Sequence, residues 1–107
     1  MPQIIYNVTC NVETDIANEW ITWMRSVHIP EVMQTGLFIS YKFMQVIGPA
    51  VDEEDSGKTY AVQYILPNIE NFLTYKDSFA PALQAKTFQK YGERVLAFRT
   101  LLEMMED

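Results

Sequence analysis

Residues 37–66, LFISYKFMQVIGPAVDEEDSGKTYAVQYIL, decide the fold. From Leu37 to Ile47 the chain is β-branched and aromatic, with Leu37, Ile39, Tyr41, Phe43 and Ile47 on one face and Phe38, Met44 and Val46 on the other. Gly48-Pro49 ends that strand, Asp52-Glu53-Glu54-Asp55 forms a solvated tip, and Lys58 to Leu66 returns as the second arm of a hairpin. An antiparallel hairpin therefore occupies the middle of the chain, and its flanking segments set the topology.

Towards the N-terminus, Gln3 to Val12 alternates, placing Ile4, Tyr6, Val8, Cys10 and Val12 on one face and Ile5, Asn7, Thr9 and Asn11 on the other. Thr14 or Asp15 then caps a helix whose Ile16, Trp20, Trp23, Met24 and Val27 make one apolar stripe. Ile29-Pro30 is expected to interrupt it, because the residue before a proline is pushed out of helical dihedrals. Pro30 then suits the first turn of a short second piece that Gly36 ends. Towards the C-terminus, Pro67-Asn68 stops the hairpin and Asn68 caps a helix carrying Ile69, Phe72, Leu73 and Phe79. Pro81 restarts that helix, Leu83, Phe88 and Tyr91 continue it to Gly92, and Arg94 to Glu103 is a fourth strand. In the last strand Val95, Ala97 and Leu101 oppose Leu96, Phe98 and Leu102. The order is βαββαβ.

That order in one short chain is the split-βαβ, ferredoxin-like α+β arrangement, in which two right-handed crossovers put both helices on one face of a four-stranded antiparallel sheet. A bare second face is ordinarily polar. Here the second and fourth strands offer large apolar side chains to both faces, which marks an association surface. We expect a homodimer joined through the sheet faces, a dimeric α+β barrel. The alternative is cover by the Met104-Met105 tail and the long hairpin.

Composition narrows the class further. The chain has 107 residues, 49% apolar and 21% charged, which describes a single globular domain over 1–107. No apolar run is long enough for a membrane helix, and Met1-Pro2-Gln3 leads into a strand instead of a basic n-region, so neither a membrane span nor a signal peptide is expected. One cysteine, Cys10, fits a reducing cytoplasm. A net charge of −6 with scattered cations argues against nucleic acid. The strand order is shared with RNA-recognition domains, but in Lys58 to Tyr64 their signature glycine is Thr59, their central aromatic Val62 and their branched aliphatic Gln63. The acidic tip lacks the alternating spacing of a calcium loop. There is no phosphate loop, no Cys/His metal set and no Gly-x-Ser-x-Gly elbow, so neither metal nor cofactor is expected.

His28 is the only histidine, hence the natural general acid or base, and it stands where the first helix meets its proline. Arg25 three residues before it and Glu31 three after bring charge beside the imidazole. Asn7 and Asn11 occupy strand positions that disfavour asparagine, which suggests that a site uses their amides. Tyr41 and Tyr64, with Tyr60 and Gln63, are candidates to line a pocket beneath the helices or between sheets. Arg99, among apolar neighbours in the last strand, is expected to be buried and so to need an anion, from Glu103 or from a ligand carboxylate. Cys10, on the apolar face and far from His28 in sequence, is expected to be inert core.

The chain closely resembles an uncharacterised family of small bacterial domains with a ferredoxin-like fold. The resemblance runs through Ile4-Ile5-Tyr6-Asn7-Val8-Thr9, Trp23-Met24 to His28-Ile29-Pro30-Glu31-Val32, Thr35-Gly36-Leu37-Phe38, Phe79-Ala80-Pro81-Ala82-Leu83-Gln84 and Ala97 to Glu103. It spans nearly the whole chain and brings no known activity. More distantly, Trp23-x-x-x-x-His28-x-Pro30 is similar to the pattern in EthD-type and antibiotic-biosynthesis-monooxygenase-like dimeric barrels, whose superfamily includes cofactor-free monooxygenases, isomerases, dehydratases and haem-degrading enzymes. The haem-degrading members pair a first-strand Asn with a Trp and a His from the second helix region. Asn7 matches the first, but no histidine lies in the second helix here. The expectation is a cytoplasmic homodimer binding a small organic molecule for cofactor-free acid–base or monooxygenase-type chemistry. His28 would be the acid or base, Asn7, Asn11, Arg25, Tyr41 and Tyr64 would hold the ligand, and Arg99 its anionic group. The alternative is a non-catalytic dimerisation or protein-interaction module.

Overall fold

In the computed structural model, which describes residues 2–48 and 57–105, the alternation of the first strand is realised, with Val8 the one member of its apolar row left partly buried. Strand β1 (Ile4–Val12) is hydrogen-bonded on both edges, antiparallel to β3 (Lys58–Leu66) on one side and to β4 (Val95–Glu103) on the other, and β2 (Ser40–Gln45) pairs outside β3. The sheet order is β2-β3-β1-β4. Registers run Tyr6 opposite Tyr64 and Leu101, Val8 opposite Val62 and Arg99, and Cys10 opposite Tyr60 and Ala97. Directly opposed residues share a face, so these rows line the helix side of the sheet. Asn7, Thr9 and Asn11 point the other way, with Gln63, Phe98 and Leu96 beside them.

Two helical runs cover the helix side. The first is a 3-10 turn at Thr14–Ile16, α1 (Ala17–Trp23), a π-helical turn at Met24–His28 and α2 (Ile29–Met33). The expected break before Pro30 does not occur: Ile29 keeps helical dihedrals, φ −60° and ψ −44°. Its N–H instead reaches back five residues to the Met24 carbonyl. Proline supplies no N–H and crowds the preceding turn; one widened π turn absorbs both effects without ending the helix. The extra residue also shifts the phase of the helix at this point. Val27, expected on the apolar stripe, is turned outward and 39% exposed, while His28 turns in and is half-buried. Gly36, at φ 78°, closes this run.

The second run is α3 (Ile69–Ser78) and α4 (Ala80–Tyr91), joined at Phe79. Asn68 caps α3 as expected, its side chain accepting from the Asn71 N–H at 2.9 Å. The buried face of this run differs from the expected one. Tyr75, Ala80, Leu83 and Tyr91 turn inward, whereas Ile69, Leu73, Phe79 and Phe88 are exposed. Helix α4 stops at Gly92, whose φ of 58° and ψ of −135° are readily adopted by glycine alone; no atom lies within 4 Å of where a Cβ would stand.

The core lies between sheet and helices and is rich in rings. Trp20, wholly buried, sits 5.1 Å from Tyr60 and 5.8 Å from Phe43. Tyr6 contacts Tyr64, Phe72 and Tyr75 at 5.3–6.0 Å between centroids. The second strand is shorter than expected. Phe38 precedes it and, instead of facing outward, is buried against Tyr64 and Tyr75 at 5.3 and 5.0 Å. Within β2 only Met44 gives the outer face a large apolar group, beside Lys42 and Ser40. The outer apolar surface therefore belongs chiefly to β4, where Phe98 is 67% and Leu96 52% exposed. The tail does not fold across it: Met104 continues the edge through its N–H to the Gln3 carbonyl at 2.9 Å, and both Met104 and Met105 are exposed. The acidic tip, Asp52 to Asp55, lies outside the described residues. Among the described residues no helix is long and apolar enough to cross a membrane.

Replacing Trp20 with Ala removes the largest wholly buried side chain and is expected to cost about 3–5 kcal/mol. Phe88→Ala, at an exposed position, should cost much less. Urea denaturation of both variants measures the difference.

Candidate functional site

Small residues on the β1, β4 and α4 walls leave space that the rings do not fill. Cys10 and Ala97 are opposed on β1 and β4, Gly92 comes directly after α4, and Thr87 lies on the inner side of α4. The result is a cavity of about 280 Å³ between sheet and helices. Its floor includes Trp20, Val62 and Tyr64, all buried. Its exposed lining residues are Gln84 and Phe88 on α4 and Arg99 on β4, so the mouth lies between that helix and that edge strand.

His28 lines the cavity from the π turn, its ring stacked on Trp23 at 5.3 Å and 26°. Trp23 is in turn held edge-on by Tyr91 at 5.5 Å. Burial pushes the imidazole pKa down to about 4; Glu31 opposes this, and the charges of Arg99 and Lys86 add to it. At neutral pH His28 is thus an uncharged imidazole, able to accept a proton or share a hydrogen bond but not to act as a standing cation. Its Nδ1 is buried with no hydrogen-bond partner, and so is Nε1 of Trp20. A buried polar atom without a partner carries a desolvation cost that a ligand group can relieve.

Of the other groups lining the cavity, Tyr6, Tyr64, Tyr75 and Cys10 are shifted chiefly by the same burial. It raises the pKa of Tyr6, with the Arg99 charge and the Gln84 side chain opposing. Tyr64 and Tyr75 are raised far above the usual phenol range, again mainly by desolvation. Cys10 is pushed up to about 11 by burial, with Arg99 opposing, so at neutral pH it is a thiol and a poor nucleophile. Phenols and imidazole alike stay neutral inside this wall.

Of the residues picked out from the sequence, the cavity gathers His28, Tyr64 and Arg99. Arg99 is exposed at the mouth instead of buried, and it makes no ion pair with a carboxylate among the described residues, Glu103 included. Asn7 and Asn11 lie on the opposite face of the sheet, where the Asn7 side chain donates to Thr9 Oγ1 at 3.0 Å and that of Asn11 to Thr59 Oγ1 at 3.2 Å. Tyr41 is exposed on the outer strand, away from the cavity. Arg25 lies over the Phe43 ring at 5.8 Å, beside a shallower depression of about 150 Å³ on the β2 side. Glu31 pairs with Lys86 of α4 at 2.6 Å, not with Arg25. Tyr6, Trp20, Gln84, Thr87 and Phe88 were missed. The signal for three of them was present: Gln84, Thr87 and Phe88 fall three and four residues apart, polar groups included, beside the buried stripe Leu83–Tyr91. Among the described residues no group of His, Cys, Asp and Glu is arranged to hold a metal ion.

A family model described as a domain of unknown function, DUF4286, matches residues 3–105. The chain belongs to the DUF4286 family. No curated protein matches the sequence. Among solved structures, an ethyl tert-butyl ether d (EthD) family protein from Bacillus halodurans C-125 is similar with a TM-score of 0.70 at 11% identity, covering 95% of this chain and 99% of that one. SnoaB, a cofactor-independent oxygenase from Streptomyces nogalater, has a TM-score of 0.66 at 9% identity, covering 100% and 97%. A dimeric ferredoxin-like protein from an uncultured marine organism has a TM-score of 0.61 at 9% identity, covering 100% and 99%. At such identities the likeness concerns the fold, which this DUF4286 chain shares as a ferredoxin-like α+β domain.

The His28 environment gives a signed pH dependence. The folded value of about 4 lies below the ordinary 6.5, so between them the unfolded chain binds more protons. The stability tied to neutral His28 is complete above pH 6.5 and lost as pH falls towards 4, by about 3 kcal/mol. Denaturant titrations across that range should show His28→Gln with a flatter acid limb than the natural protein, and proton NMR should place the imidazole titration well below that of a free histidine.

Proposed function

We propose that this DUF4286 domain is a cytoplasmic homodimer joined through its outer sheet faces, each subunit binding a small organic molecule in the cavity between sheet and helices. The observation that carries the reading is the pair of buried, unpartnered polar atoms, Trp20 Nε1 and His28 Nδ1, on residues that line an open cavity. Native interiors leave few such atoms. A volume of about 280 Å³ suits a compact ligand, since an apolar cavity of ~150 Å³ already admits benzene. Neutral His28 and the phenols of Tyr6 and Tyr64 equip the site for cofactor-free proton transfer or monooxygenase-type chemistry on the bound molecule. The cofactor-independent oxygenase among the structural neighbours supports that chemistry by analogy of fold alone. The exposed Phe98 and Leu96 on β4 support the dimer, as does a dimeric neighbour.

Ligand-observed NMR against a fragment library should find small aromatic binders, and Thr87→Trp, which projects an indole from the α4 wall, should abolish their binding while the dimer persists. Binding indifferent to Thr87→Trp would put the ligand elsewhere. If no fragment binds, the non-catalytic module is the better account. Separately, sedimentation should show a dimer at micromolar concentration that Phe98→Asp converts to monomer; a natural chain that sediments as a monomer would remove the sheet-to-sheet assembly.

A further inference from the structure

The cavity is electrically one-sided. Its lining contains no Asp, Glu or Lys, and Arg99 is its one formally charged member among the described residues. This stands out in a chain of net charge −6 whose Arg94, immediately before β4, is doubly paired with Glu13 at 2.8 Å and Asp15 at 2.6 Å. Among the described residues Arg99 has no such carboxylate. It stands in the row Arg99–Val8–Val62, so the apolar side chains of β1 and β3 run inward from it along the sheet. Tyr6, two residues from Val8 on β1 and so diagonal to Arg99, lines the cavity as well and brings a second donor to that wall. Further in, the wholly buried Trp20 packs on Tyr60 and Phe43, with its indole N–H unpaired. Two strand spacings, about 9.6 Å, separate the backbones of β4 and β3. Between the two ends lie only apolar and aromatic surfaces and neutral polar groups.

Resting on the ligand-binding reading above, we propose that the occupant is an aryl carboxylate. Its carboxylate sits on Arg99 and Tyr6 at the mouth, its ring lies over Val8, and a second oxygen at the far end accepts from Trp20. A guanidinium matches a carboxylate in two parallel hydrogen bonds, which a neutral amide cannot reproduce. The ring is selected by shape and by the aromatic walls, so a bare inorganic anion satisfies only the mouth.

Calorimetric titration with 4-hydroxybenzoate, benzoate, benzamide and inorganic phosphate tests this directly. We expect 4-hydroxybenzoate to bind more tightly than benzoate, benzamide to be weaker than benzoate by about 10- to 100-fold, the range for losing a charged hydrogen-bond partner, and phosphate not to displace either carboxylate. Arg99→Gln should bring benzoate down to the benzamide level, with Arg99→Lys in between; at an exposed position both variants should keep the natural melting temperature. Trp20→Phe should erase the advantage of 4-hydroxybenzoate and leave benzoate bound. Equal binding of benzamide and benzoate, an unaffected Arg99→Gln, or displacement by equimolar phosphate would overturn the aryl-carboxylate assignment. So would a hydroxyl advantage that survives Trp20→Phe. If none of the four compounds binds while library fragments sensitive to Thr87→Trp still do, the assignment falls and the ligand cavity stands; if those fragments also fail, both fall.

Discussion

Strand β1 is bonded along both edges, and the two-residue period of its side chains dictates the allocation of almost everything else in the molecule. Each of its residues has a direct partner on β3 and another on β4, so placing Tyr6, Val8 and Cys10 under the helices also places Tyr64, Val62, Arg99 and Ala97 there. A slip of one residue would send those groups to the outer face and bring Asn7 and Asn11 into the core, where their amides would be stranded among rings. The apolar row Ile4-Tyr6-Val8-Cys10-Val12 forbids that slip, since burying it is worth roughly 25 cal/mol per Å² of apolar surface removed from water. The cavity inherits its composition from this choice of face.

The same strand shows how far local pattern reaches. Its alternation, that of β3 and the capping of α3 by Asn68 are all legible in the sequence, because each depends on neighbours one to three residues away. The π turn at Met24–His28 is not. Periodicity assumes 3.6 residues per turn, and a single wider turn shifts the phase, which is why Val27 leaves the expected apolar stripe while His28 turns inward. Phe38 and Tyr75 escape for a related reason: their mutual burial is a contact between segments 37 residues apart.

For the site, sequence reasoning reaches His28, Tyr64 and Arg99 through residue chemistry and overreaches with Asn7, Asn11, Tyr41 and Arg25. Asparagine in a strand is uncommon, but here the amides of Asn7 and Asn11 bond to threonines on the outer face. The missed groups are more instructive. Tyr6 and Trp20 read as core because they are core; their hydroxyl and indole N–H become functional candidates only once the small residues Ala97, Cys10 and Gly92 are seen to leave a void beside them. A void is a deficit of volume summed over three elements, and no single segment displays it. The low dielectric there also keeps imidazole, phenol and thiol uncharged together, a condition shared by the whole wall and set by packing.

Gly92 ties the opening of this void to the handedness of the chain. It is the joint between α4 and the short turn into β4, which carry Phe88 and Arg99 on the two lips. The angle between those lips rests on one residue in a conformation that mirror-image sterics deny to any L-amino acid with a side chain. Since nothing surrounds the place its Cβ would take, substitution there meets no crowding, only torsional refusal. The aperture therefore depends on backbone chirality at a single point, where a lone methyl group would be opposed by the chain's own adjacent backbone and by nothing beyond it.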